Sequence, residues 1–97
     1  MPARFDGVIE AVRYAPDGKI EFVRAYERRG AAFSDHVLIQ RDALIERLKQ
    51  GKKFVTGRRK ANLGGMFEVG ASVLLSGDSV TTRPGVQGDF LEDVPVF

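Results

Sequence analysis

Tyr14-Ala15-Pro16-Asp17-Gly18-Lys19-Ile20 is the stretch on which the fold turns. Proline presets φ for the first corner, aspartate can bond the nearby backbone, and glycine accepts the left-handed geometry that closes a hairpin. On one side, Arg4 to Tyr14 is rich in β-formers, with Val8, Val12 and Tyr14 at even positions and Phe5, Ile9 and Ala11 at odd ones. Pure alternation would leave one face wet. Apolar residues at both parities imply partial burial on both sides, or a bulge near Gly7 that changes which residues point inward. On the other side, the return strand Ile20 to Tyr26 sets Ile20, Phe22 and Tyr26 on one face, Arg24 sharing it. Glu21, Val23 and Ala25 take the other.

Beyond the hairpin, a small-residue linker leads to a short strand at His36 to Gln40, and a helix follows directly over Arg41 to Gly51. Leu44, Ile45 and Leu48 form one apolar stripe at helical spacing. Asp42 in the first turn and Lys49 in the last complement the helix dipole, and Gly51 suits a left-handed stop. So short a helix is unstable alone in water, so its stripe must pack on the sheet. Strands resume at Lys53 to Gly57, Met66 to Leu75 and Ser79 to Arg83. The tail, Val86 to Phe97, holds Phe90, Leu91, Val94, Val96 and Phe97, enough apolar area to dock on the domain or to pair as an edge strand.

One helix among hairpin-linked strands predicts a mainly β (α+β) single domain over residues 1–97. The expected form is a small antiparallel barrel or curled sheet of five or six strands, with the helix between strands 3 and 4, OB-like or SH3-like. Composition agrees with an ordered globular chain: 43% of residues are hydrophobic and 29% charged. The absence of cysteine excludes disulfides, thiolate metal sites and a cysteine nucleophile. The N-terminal residues lack the apolar run of a signal peptide, and no stretch approaches a membrane span, so a cytoplasmic protein without membrane contact is expected.

Charge is spread unevenly. Residues 1–40 hold six basic and six acidic side chains, residues 41–60 eight and two, and residues 61–97 one and five. Lys49, Lys52, Lys53, Arg58, Arg59 and Lys60 therefore form a candidate polyanion-binding region running from the helix into the next loop. Arg41 and Arg47 belong to the same block. Tyr26, close to Arg24, Arg28 and Arg29, is the candidate base-stacking aromatic. The bland reading of the block is a solvated helix end and a basic turn, shielded by Asp89, Glu92 and Asp93.

Catalytic motifs fail on geometry. Gly57-Arg58-Arg59-Lys60-Ala61-Asn62-Leu63-Gly64-Gly65 superficially resembles a phosphate loop, but its glycines close the segment and a strand follows, whereas a P-loop opens a helix with Gly-Lys-Ser/Thr. Ser34-Asp35-His36 contains the residue types of a hydrolase triad, yet adjacent extended residues alternate faces and cannot form the relay. His36, the single histidine, would need carboxylates to complete a metal site. Asp42 and Glu46 share a helix face at i, i+4, with Arg41 and Arg47 nearby, and read as a solvated pair. The expectation is a binding module without enzymatic activity, metal or cofactor, contacting nucleic acid or another polyanion. The alternative is a protein-interaction or structural module that self-associates as a homodimer through a sheet edge or the C-terminal tail.

Overall fold

The computed structural model describes residues 5–30, 32–60, 67–83, 85 and 88–97. The turn at Ala15–Lys19 closes as its residue types require. Gly18 sits at φ 90°, the Lys19 amide donates to Asp17 Oδ1 at 2.9 Å, and the Ala15 amide donates to the Lys19 carbonyl at 2.7 Å. It joins β1 (Gly7–Tyr14) to β2 (Ile20–Arg29) in an antiparallel pair. The residues expected to be a linker contribute β3 (Ala32–Phe33), and β4 (Val37–Gln40) follows; both pair antiparallel with β2.

After β4 comes α1 (Arg41–Lys49), which ends with Gly51 at φ 86° and leads into β5 (Phe54–Arg59). The sheet here corrects the antiparallel expectation. β5 pairs parallel with β1, Gly7 opposite Phe54 and Ile9 opposite Thr56. A parallel return needs a crossover of a dozen or so residues, and residues 41–53, with the helix at their centre, supply it. β4, α1 and β5 therefore form a crossover spanning β2 and β1, where hairpin reasoning assumed every neighbour ran antiparallel. The expected long strand Met66 to Leu75 is two strands, β6 (Phe67–Ser72) and β7 (Leu74–Ser76), broken at the buried Val73; Met66 itself lies outside the described residues. β7 forms a separate hairpin with β8 (Ser79–Thr81).

The result is an open, mixed six-stranded sheet ordered β3-β2-β1-β5-β6, with β4 also on β2, rather than a closed barrel. Its inner face carries the core: Ile9, Val12, Val23, Ala25, Ile39 and Phe54 pack with Leu44 of α1 and with Val73, Val80 and Leu91. Two bulges set which residues face it. Ile9 pairs with Ala25 but Ala11 pairs with Arg24, so Glu10 is an extra residue. Arg13 pairs with Phe22 but Tyr14 with Ile20, so Glu21 is another. Each extra residue resets the alternation. That is why Ile9 and Val12, and Ile20 and Val23, all reach one core although their spacing is odd. The bulge lies at Glu10 rather than near Gly7. Ile20 accordingly parts from Phe22, Arg24 and Tyr26, which face the opposite side.

The C-terminal residues lie along the domain. The Val12 amide donates to the Pro95 carbonyl at 2.9 Å and the Phe97 amide to the Val12 carbonyl at 3.0 Å, so the chain end occupies the slot beside β1 just beyond β5. Among the described residues, no helix is long and apolar enough to cross a membrane.

Candidate binding face

The structure distributes the basic block over several surroundings. Arg41, at the helix start, pairs with Asp89 at 2.7 Å, and Arg47, one and a half turns on, pairs with Glu27 at 2.7 Å. Lys49 borders a concavity of about 360 Å³ beside Lys19, Arg41, Asp78 and Asp89. Lys52 borders another of about 600 Å³, also lined by Asp6, Glu27, Arg28, Glu46 and Arg47. Lys53 is exposed, its amide donating to Asp6 Oδ2 at 2.8 Å. Arg58 pairs with Glu68 at 3.3 Å on the side of β5 opposite to Arg59. Lys60 follows β5, half-buried, and the glycine end of the loop, residues 61–65, lies outside the described residues. Acids from distant parts of the chain thus meet Arg41, Arg47 and Arg58, and the six candidate cations do not share one face.

Tyr26 is 7% exposed, which corrects its assignment as an open stacking platform. Its ring is instead the base of a layer. Phe67 lies 5.1 Å from it and His36 5.6 Å, centroid to centroid, while the Arg59 guanidinium carbon lies 4.7 Å from its centre. Val8, the Cα partner of Tyr26, is fully buried yet belongs to this outer layer rather than to the core cluster.

Across that outer face, four guanidinium groups each lie on an aromatic ring. Arg13 is 6.0 Å from the Phe22 centroid, Arg24 4.9 Å from Phe97, Arg28 4.8 Å from Phe33, and Arg59 sits over Tyr26 and, at 5.6 Å, Phe67. Phe5 packs on Phe33 and Phe67. The cause is strand geometry: Phe22, Arg24, Tyr26 and Arg28 alternate along β2, and period-2 alternation places all four on one side. Each such cation–π contact contributes an attraction of about 0.5–2 kcal/mol. Arg28 and Arg59 are in no ion pair among the described residues; Arg28 Nε donates to the Phe5 carbonyl at 3.0 Å, and the buried Arg59 Nε has no partner.

The bulged Glu10 sits at the middle of this face. Its carboxylate accepts from the Tyr26 hydroxyl at 3.0 Å and contacts His36 Nδ1 at 2.8 Å. Arg24 Nε stands 3.1 Å away, an ion pair whose direction does not complete a hydrogen bond. Burial, then the bond to Glu10, pushes the Tyr26 hydroxyl above its ordinary pKa. The Arg24 guanidinium offsets the charge of this carboxylate, so the pair adds no net charge to the face. The His36 ring is half-exposed, and the Ser34 hydroxyl accepts from the Glu27 amide at 3.1 Å. Among the described residues, no three His, Cys, Asp or Glu side chains stand together as a metal site.

Glu10, His36, Arg28 and Phe33 were not singled out as one site by sequence reasoning. The signal for part of it was present, since Arg24 was placed on the face of Phe22 and Tyr26. A scan against protein-family models found no matching family, and neither curated proteins nor solved structures gave a match.

Proposed function

We propose that this chain is a non-catalytic binding module that takes polyanions on the outer face of its sheet. The observation that carries the proposal is the set of four ring-mounted arginines, two of them, Arg28 and Arg59, without an acidic partner among the described residues. A pI near 9.2 is consistent with attraction to such ligands. Lys60 directly follows Arg59 in the chain. Lys49, Lys52 and Lys53 lie nearer the helix end and belong to the competing helix-to-loop location for the same function.

Titration of heparin and of a labelled oligonucleotide against the chain at low and moderate salt tests this reading. Affinity should fall steeply with salt, and Arg28→Ala and Arg59→Ala should each reduce the slope of log K against log salt by about 1. Loss confined to Lys49→Ala and Lys52→Ala would move the site to the helix end. Absence of binding at low salt ends the proposal.

A second reading rests on a different observation. β6 has no partner on its far edge among the described residues, and Val69 there is 47% exposed. Two β6 strands paired antiparallel about the Val69–Gly70 step would place Glu68 opposite Ala71, so like charges do not meet. A homodimer of this kind would appear as doubled solution mass that Val69→Pro returns to the monomer value.

A further inference from the structure

We infer that the ligand of the outer face is single-stranded nucleic acid whose bases stack at the Phe22–Phe97 end of the sheet; this rests on the polyanion reading above. A charged groove alone would accept any polyanion. This face adds flat π surface and apolar rim to its charge. Phe97 is 39% exposed, its ring 5.6 Å from that of Phe22 and tilted by 44°. The Arg24 guanidinium covers Phe97 at 4.9 Å, and Arg13 flanks Phe22. Leu38, 61% exposed, is the Cα partner of Arg24 and so borders the same patch.

Each part has a use toward unstacked bases. Aromatic rings and guanidinium planes both accept a base face, whereas a sulfated sugar has no π face to stack on them. Paired bases hide their faces inside the duplex stack, so a duplex gains nothing from these rings. The positive charge lacking acidic partners lies at the other end, at Arg28 and Arg59. Phe22 and Arg28 are six residues apart on β2, about 20 Å at 3.3 Å per residue, room for a backbone to pass from stacked bases to phosphate contacts. Such a run fits the low end of the roughly 4–16 nucleotides that single-strand modules cover. The neutralised Glu10 lies between the two ends and does not repel the strand.

The discriminating experiment uses the full chain and four probes: oligodeoxyuridylate, oligouridylate, a duplex of the same length, and heparin. Single strands should bind more tightly than duplex or heparin, and the better of the two names the preferred sugar. Phe97→Ala should weaken the single strands about 5- to 100-fold and leave heparin unchanged, while Phe97→Tyr restores binding. The Phe97 amide anchors the chain end to Val12 at 3.0 Å in either variant, and thermal melting checks that the fold persists. If single strand, duplex and heparin bind alike, or Phe97→Ala changes none or all equally, this inference fails and the polyanion reading survives. If no probe binds at low salt, both fail together.

Discussion

Arg41 grips Asp89 across 48 positions of sequence, its Nε 2.7 Å and its Nη2 3.1 Å from the two carboxylate oxygens. The Asp89 side chain is only 1% exposed, and the same carboxylate accepts from the Ile20 amide at 2.8 Å and the Val80 amide at 2.9 Å. One side chain therefore fastens the end of the β1–β2 turn, the start of α1, the β7–β8 hairpin and the C-terminal segment. Burial by itself raises this carboxyl's pKa, but the bonds from Arg41, Val80 and Ile20 outweigh it and hold the group below the ordinary value.

Removing that acid should be the most damaging polar change in the molecule. Asp89→Ala leaves two amides unpaired and the half-buried Arg41 guanidinium with its bond to the Asp78 carbonyl alone, and a loss of about 3–5 kcal/mol is expected. Urea unfolding of the variant measures it. Because the folded pKa is depressed, the contribution is present above the unfolded carboxylate value near 4 and fades as pH falls toward the folded one. Stability of the parent should therefore drop below about pH 4, while Asp89→Asn flattens that dependence.

Alkaline titration reads the outer face. The chain has two tyrosines, and in a Tyr14→Phe background the remaining phenol of Tyr26 should ionise above the ordinary value near 10. A raised folded pKa means stability present below the unfolded value and lost as pH rises through the folded one. Glu10→Gln removes the carboxylate that adds to the larger effect of burial and should lower the absorbance midpoint toward 10. The same variant leaves Arg24 without its acidic partner, so heparin should bind it more tightly than the parent.

Gly7 stands directly against the Phe54 ring, where a Cβ would overlap the ring atoms. Gly7→Ala should cost about 1–3 kcal/mol through overpacking. Pairing with Phe54→Leu should recover part of the loss in a double-mutant cycle, since the two residues are Cα partners in the parallel register.

Leu44 carries the helix onto the sheet and is fully buried. Leu44→Ala should cost about 2–5 kcal/mol, whereas Glu46→Ala, on the exposed side of the same helix, should stay within about 0.5 kcal/mol. Equal effects at the two positions would contradict the packing described here.

Local chemistry made the turn and the helix readable. Pro16 and Gly18 act through their own backbone, the Asp17 side chain accepts from the Lys19 amide two residues on, and Gly51 stops α1 by its own φ, so a distant partner sets neither boundary. The bulges at Glu10 and Glu21 had no such local mark. An extra residue in a strand exists only relative to the strand opposite, and the apolar residues at both parities of β1 signalled an irregularity without locating it. The basic block misled for a related reason. Arg41, Arg47 and Arg58 are close in the chain, yet Asp89, Glu27 and Glu68, at 48, 20 and 10 positions away, neutralise them in space.

By itself, the order of residues determined that this chain makes a β-rich unit with one packed helix, because alternation, turn chemistry and helical spacing act over a few residues. Tertiary structure alone decided that β5 runs parallel to β1, that Glu10 projects into an aromatic layer, and that four arginines lie on rings along the outer side. Those outcomes depend on which strands become neighbours after the helix crosses the sheet, and contacts of that range leave no periodic trace in a single sequence.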